Sequence, residues 1–221
     1  MPCLAMAARS SIIDLRKLLA ERFPHEQLPL AERLATGLRI FDDSLDGGLS
    51  KGAITELTSA KASAGSATII AALLQRACHD RSFIALIDGR DSFDPSFVGE
   101  SALRHLLWVR GRTASEALQA ADLLLRDGNF PLVILDLVLN PVAELQKIPA
   151  SNWYRLQRLV EPAPTAFLVL TPRSMISSAQ WKLKLENRWT LPQLDREATA
   201  LQAGLKIRLQ RAQPNKWRMV G

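Results

Sequence analysis

Residues 54–74 run Ile54-Thr55-Glu56-Leu57-Thr58-Ser59-Ala60-Lys61-Ala62-Ser63-Ala64-Gly65-Ser66-Ala67-Thr68-Ile69-Ile70-Ala71-Ala72-Leu73-Leu74. The stretch reads as a short buried strand, a loop of small residues and an apolar helix, the arrangement in which a nucleotide-binding fold holds a phosphate. A working phosphate loop follows G-x-x-x-x-G-K-[ST]: backbone amides wrap the phosphates, the Lys reaches the terminal ones and the hydroxyl holds Mg²⁺. Of that motif only Gly65 is in place. Ser66 stands at the Lys position and Ala67 at the hydroxyl position, and Ser59 to Gly65 is one residue longer than the Gly-to-Gly spacing. The pattern keeps the architecture of an ATPase and drops its chemistry.

Working outward, 221 residues fit one large domain or a domain with an appendage, and 48% hydrophobic residues supply a substantial core. The longest apolar run, Leu132 to Leu139, is broken by Asp136 and is too short to span a bilayer. The start, MPCLAMAARSS, lacks the basic and apolar regions of a signal peptide, so a cytoplasmic protein is expected. Cys3 and Cys78 make no disulfide framework, and His25, His79 and His105 lack metal-ligand spacing. Charge is uneven: residues 173–221 carry 10 Lys and Arg against 3 Asp and Glu, whereas the first 172 carry 18 against 19. The basicity therefore belongs to the C-terminal part, as a nucleic-acid surface, an acidic-partner surface or a solvated edge.

Ser10-Ser11 caps an amphipathic helix through about Phe23, stopped by Pro24, so residues 1–30 read as a helix and linker before a core of 31–221. Within the core, a short helix near Thr36 to Leu49 closes on a Gly pair. The strand Ala53 to Thr58, the helix Ser66 to Asp80, the strand Ser82 to Ile87, the strand Leu106 to Val109 and the helix Thr113 to Arg126 follow. Then come the strand Pro131 to Leu137, a helix from about Pro141 to Val160 broken or bent near Pro149, and the strand Thr165 to Thr171. Continuous apolar strands alternating with helices predict an α/β fold with a mostly parallel sheet covered on both faces. Beyond residue 173 the period changes to two: Trp181, Leu183 and Leu185 alternate with Lys182, Lys184 and Glu186, and Leu205, Ile207 and Leu209 alternate with Lys206, Arg208 and Gln210. Such alternation predicts half-exposed antiparallel strands with a basic solvent face.

Several motifs, in order, resemble the RecA-like recombinase core. Thr36-Gly37 with Asp42 is similar to its T-G-x-x-x-x-D opening, followed by Gly47-Gly48-Leu49, Lys51-Gly52 and the strand into the loop. Leu86 to Pro95 resembles the second core strand and the adenine-side turn, and Pro131 to Asp136 resembles the Walker B strand. The resemblance covers roughly residues 34–210. In that family an acid two positions after the strand-ending Asp activates water; here the position is Arg90, a guanidinium that stays protonated and cannot act as a base. Asp94 and Phe97 match the residues that receive adenine, Asp136 matches the Mg²⁺-side carboxylate, and Thr171 replaces the Gln that senses the γ-phosphate. The resemblance thus implies a vestigial cofactor site at Gly65, Ser66, Thr68, Asp94, Phe97 and Asp136, with weak ATP binding left open and no metal.

Within the RecA-like proteins, Gly47 to Leu57, Asp88 to Pro95 and Leu106 to Arg110 resemble the ImuA family, accessory proteins of mutagenic translesion polymerases. This implies an adaptor in SOS-induced, error-prone synthesis with no catalytic residues. Its partners would be polymerase subunits including an ImuB-like protein, with RecA or DNA as further candidates and no membrane. The SulA family of cell-division inhibitors looks like a related degenerate branch, and this resemblance implies the alternative of a division inhibitor with a tubulin-like partner. The candidate partner or DNA surface is Lys182, Lys184, Lys206, Arg208, Arg211, Lys216 and Arg218, interleaved with Trp181, Trp189 and Trp217.

Overall fold

The computed structural model describes residues 32–61, 64–194 and 196–212. The helix expected at Ser10 to Phe23, and Lys216, Trp217 and Arg218, lie outside the described residues.

A two-residue ribbon comes first: β1 (Arg33–Leu34) pairs antiparallel with β2 (Leu49–Ser50) around the short helix α1 (Arg39–Ser44). Gly48 closes this turn at φ 127°, and a Cβ there would lie 2.2 Å from the Leu34 carbonyl oxygen, so no other residue fits. The parts that follow are β3 (Ala53–Ser59), α2 (Ser66–His79), β4 (Ile84–Asp88), α3 (Glu100–Leu103), β5 (Leu106–Arg110), α4 (Ala114–Asp127) and β6 (Leu132–Asp136). After them come α5 (Val142–Leu145), α6 (Ala150–Val160), β7 (Ala166–Thr171), β8 (Trp181–Leu185), α7 (Leu191–Leu194), α8 (Ala198–Ala203) and β9 (Ile207–Ala212). Pro149 does interrupt the expected long helix, leaving α5 and α6 on either side of it.

Seven strands form one sheet in the order β5-β4-β6-β7-β3-β8-β9. Side chains on successive residues point to opposite faces, so strands apolar at every position feed two cores. Leu132 and Ile134 of β6 pack with α1 and α2 on one face, Val133 and Leu135 with α4 and α6 on the other. Helix α4 starts where the Thr113 hydroxyl accepts the Glu116 amide and stops at Gly128 in the left-handed region. Asp122 then joins Arg126 of α4 and Arg155 of α6, each at 2.8 Å.

The C-terminal strands extend the sheet as an antiparallel pair, β8 with β9, but β8 itself joins β3 in parallel. Two further departures from the sequence reading occur here. The alternating run forms β8 only to Leu185, and α7 and α8, not expected from the sequence, occupy the segment before β9. Leu209 is 41% exposed rather than core-facing, beyond a register shift at Lys182/Leu183 in the pairing.

Candidate functional site

The site is built where β3 ends and α2 begins. The Ser59 hydroxyl donates to the Lys61 carbonyl at 3.0 Å and the Ala64 amide donates to the same oxygen at 3.1 Å, curling the loop back on itself. Gly65 is the N-cap of α2 at φ 105°, with no side-chain cap. A Cβ on Gly65 would lie 2.8 Å from Leu205 Cδ2 and 3.1 Å from the Trp189 ring, so both apolar side chains close over the loop. Ser66 opens the helix and is buried.

Beside this roof lies a cleft of about 460 Å³ whose lining includes Gly65, Thr68, Ala71, Phe97, Trp189 and Leu201. Three of the cofactor-site residues expected from sequence, Gly65, Thr68 and Phe97, therefore share one cavity. Phe97 is 48% exposed and packs edge-on against Phe93, their centroids 6.1 Å apart. Asp94 does not line the cleft; its carboxylate accepts the Ser96 amide at 2.9 Å, and this bond holds it below the usual carboxylate range.

Across the sheet, Asp88 is 1% exposed and accepts the Ser92 and Phe93 amides, each at 2.7 Å, which shapes the turn after β4. Asp136 sits opposite it in register. It accepts the Val138 amide at 2.9 Å, while burial and the neighbouring Asp88 charge push its pKa up to about 6. Arg90, at the position of the water-activating acid, donates from Nη1 to the Arg112 carbonyl at 3.0 Å. Among the described residues no group of three or more His, Cys, Asp and Glu is arranged to hold a metal ion.

Sequence reasoning missed Glu56. Its side chain is 0% exposed in the middle of β3. It accepts the Thr171 hydroxyl at 3.2 Å, the Ser174 hydroxyl at 3.1 Å, and the Met175 and Ile176 amides at 2.7 and 3.1 Å. Lys182 completes the shell at 2.9 Å. Thr171, at the γ-phosphate-sensing position, is thus bonded to Glu56. A lone Glu in an apolar strand is the signal that could have revealed this, because a buried carboxylate requires partners.

The network also corrects the basic stripe. Lys182 is not solvent-facing: its side chain is 13% exposed and neutralises Glu56. Arg208 lies 3.4 Å from Glu186, whereas Lys184, Lys206 and Arg211 form no ion pair among the described residues.

No family model matches the chain. Among curated proteins it is similar to Protein RecA of Xylella fastidiosa (strain M23), 31% identical over 121 residues, covering 52% of this chain and 34% of that protein. Protein RecA of Frankia alni is 27% identical over 197 residues, covering 85% of this chain and 57% of that protein. Protein RecA of Clavibacter michiganensis subsp. michiganensis is 30% identical over 193 residues, covering 83% and 53% respectively. The chain spans between a third and somewhat over half the length of these relatives. The mostly parallel seven-stranded sheet is that of a RecA-like α/β fold, and the similarities support a place in the RecA-like superfamily. No helix among the described residues is long and apolar enough to cross a membrane.

Proposed function

We propose that this chain is a non-hydrolysing RecA-like accessory protein of DNA repair, serving as an adaptor for error-prone synthesis past lesions. One observation carries the reading: the mouth of the former phosphate loop is covered by Trp189 and Leu205 against Gly65. Phosphoryl transfer depends on positioned charge around the transferred group. At this mouth Ser66 and Ala67 replace the Lys and the metal-binding hydroxyl, and Arg90 occupies the base position. Asp136, with a pKa near 6 beside Asp88, is not compensated by a cation in any described ion pair. The RecA similarity supports the repair context. The resemblance of residues 47–57, 88–95 and 106–110 to the ImuA family supports the translesion role, with polymerase subunits as partners.

The test is twofold. Purified chain with Mg-ATP is expected to release phosphate no faster than a Gly65→Val variant, and affinity capture from DNA-damaged cells is expected to recover translesion polymerase subunits. Hydrolysis abolished by Asp136→Ala, or recovery of division proteins alone, defeats the reading. A second reading, ATP binding without hydrolysis, draws on the shared cleft of Gly65, Thr68 and Phe97. A rise in melting temperature with millimolar Mg-ATP would favour it over the first.

A further inference from the structure

Two clefts meet at the covered loop. The first is the apolar one already described, whose aliphatic side is Ala67, Ala71, Leu194 and Leu201. The second, of about 370 Å³, is lined by Lys61, Ala64, Lys184, Glu186, Asn187 and Arg188, among others. Their walls are continuous: Ala64 and Arg188 line the second cleft, and the next residues, Gly65 and Trp189, line the first. The second cleft presents cations from two elements, Lys61 from the loop after β3 and Lys184 and Arg188 from β8 and its exit. Its single acid, Glu186, is directed to Arg208 at 3.4 Å, so the cleft keeps a positive surplus. The walls are fixed in advance. Asn187 donates to the Gly204 carbonyl at 2.8 Å and accepts the Lys206 amide at 2.7 Å, and Gln202 of α8 donates to Gln75 of α2 at 3.1 Å.

We propose that this pair of clefts docks a short acidic peptide segment of a partner protein, one large apolar side chain entering between Phe97, Trp189 and Leu201 and adjacent carboxylates meeting Lys61 and Arg188. The inference rests on the reading that the cleft no longer serves a nucleotide. Charge complementarity selects an anionic occupant, and the apolar lining, Ala71, Leu194 and Leu201 beside the Phe97 and Trp189 rings, offers a seat for one large apolar side chain. A buried apolar anchor flanked by ion pairs at the rim is the common form of such interfaces.

The experiment pans a random 12-residue peptide display library on the immobilised full chain and measures synthetic versions of the enriched peptides by fluorescence polarisation. Enrichment of sequences with a large apolar residue beside two or more acids is expected. Their affinity should fall at least tenfold for Lys61→Glu/Arg188→Glu and for Phe97→Ala, all exposed positions, with circular dichroism checking the fold. Enriched peptides of another pattern, no enrichment, or equal binding to the variants overturns the proposal. So does displacement by a 12-nucleotide oligothymidylate, which would assign the clefts to nucleic acid. Displacement by Mg-ATP defeats the underlying non-nucleotide reading, whereas peptide failure with ATP inert defeats the docking proposal alone.

Discussion

Glu56 and Asp136 are carboxylates of one sheet, separated by a single strand, β7, and they are treated in opposite ways. Glu56 lies mid-strand, where no water reaches it, and is met by Thr171, Ser174, the Met175 and Ile176 amides, and Lys182. Asp136 lies at the strand end with the Val138 amide and a second carboxylate, Asp88, opposite it. Burial raises the pKa of Asp136 and its one amide donor offsets only part of that, whereas Glu56, buried in mid-strand, is met by five donors. The poorer supply falls at the end of β6, where Asp136 accepts one amide; Asp88, at the end of β4, accepts three.

The comparison breaks most sharply at Glu56→Ala, which leaves Lys182 and two amides without their acceptor. A loss of about 3–5 kcal/mol is expected in urea titrations, since removing one partner strands a buried charge. Lys182→Met keeps the neutral donors and removes the cation, and should cost about 3 kcal/mol, the low end of the range for a broken buried pair. Were it as damaging as Glu56→Ala, the cation and not the amides would hold the site.

Asp136→Asn should act in the other direction. Its folded pKa, about 6, lies above the ordinary 3.8, so the folded state holds the extra proton between these values and stability falls as pH rises through that window. The penalty is complete above about pH 6. At 1.36 kcal/mol per pH unit the shift from 3.8 to about 6 sets an upper limit of roughly 3 kcal/mol, so the variant should be more stable than the parent at pH 7.5 by up to that amount and show little gain at pH 4. The smallest effect belongs to Asp91→Asn. Arg110 binds that carboxyl through Nε and Nη2 at 2.5 and 2.6 Å and holds it below the usual range, but both groups are exposed. Solvent screening should leave its urea midpoint unmoved.

The contrast also explains what could be read in advance. Strands β4, β6 and β7 are apolar on both faces, so their runs announce a covered parallel sheet whatever their partners are. Period-two alternation at Trp181 to Leu185 reports a polar face but carries no information on strand direction, and β8 lies parallel to β3 because the crossover from β7 brings it there. The same alternation makes Lys182 look solvent-facing; only the register that sets it opposite Glu56 shows its partner. Helices α7 and α8, of four and six residues, are too short to display a 3.6-residue period. For the site, Gly65 and the absent lysine are visible in the chain. Trp189 and Leu205 above Gly65 are not, because they arrive from the far end of the sequence.

Residues 172–180 contain no helix or strand, and on composition alone would be expected to open and close freely. Two of their amides nevertheless end on a side chain rooted in a central strand. Releasing them exposes that carboxylate's remaining donors at the same time. The Met175 and Ile176 amide protons should consequently exchange with solvent on the timescale of the β3 amides, so this irregular segment unfolds with the sheet rather than before it.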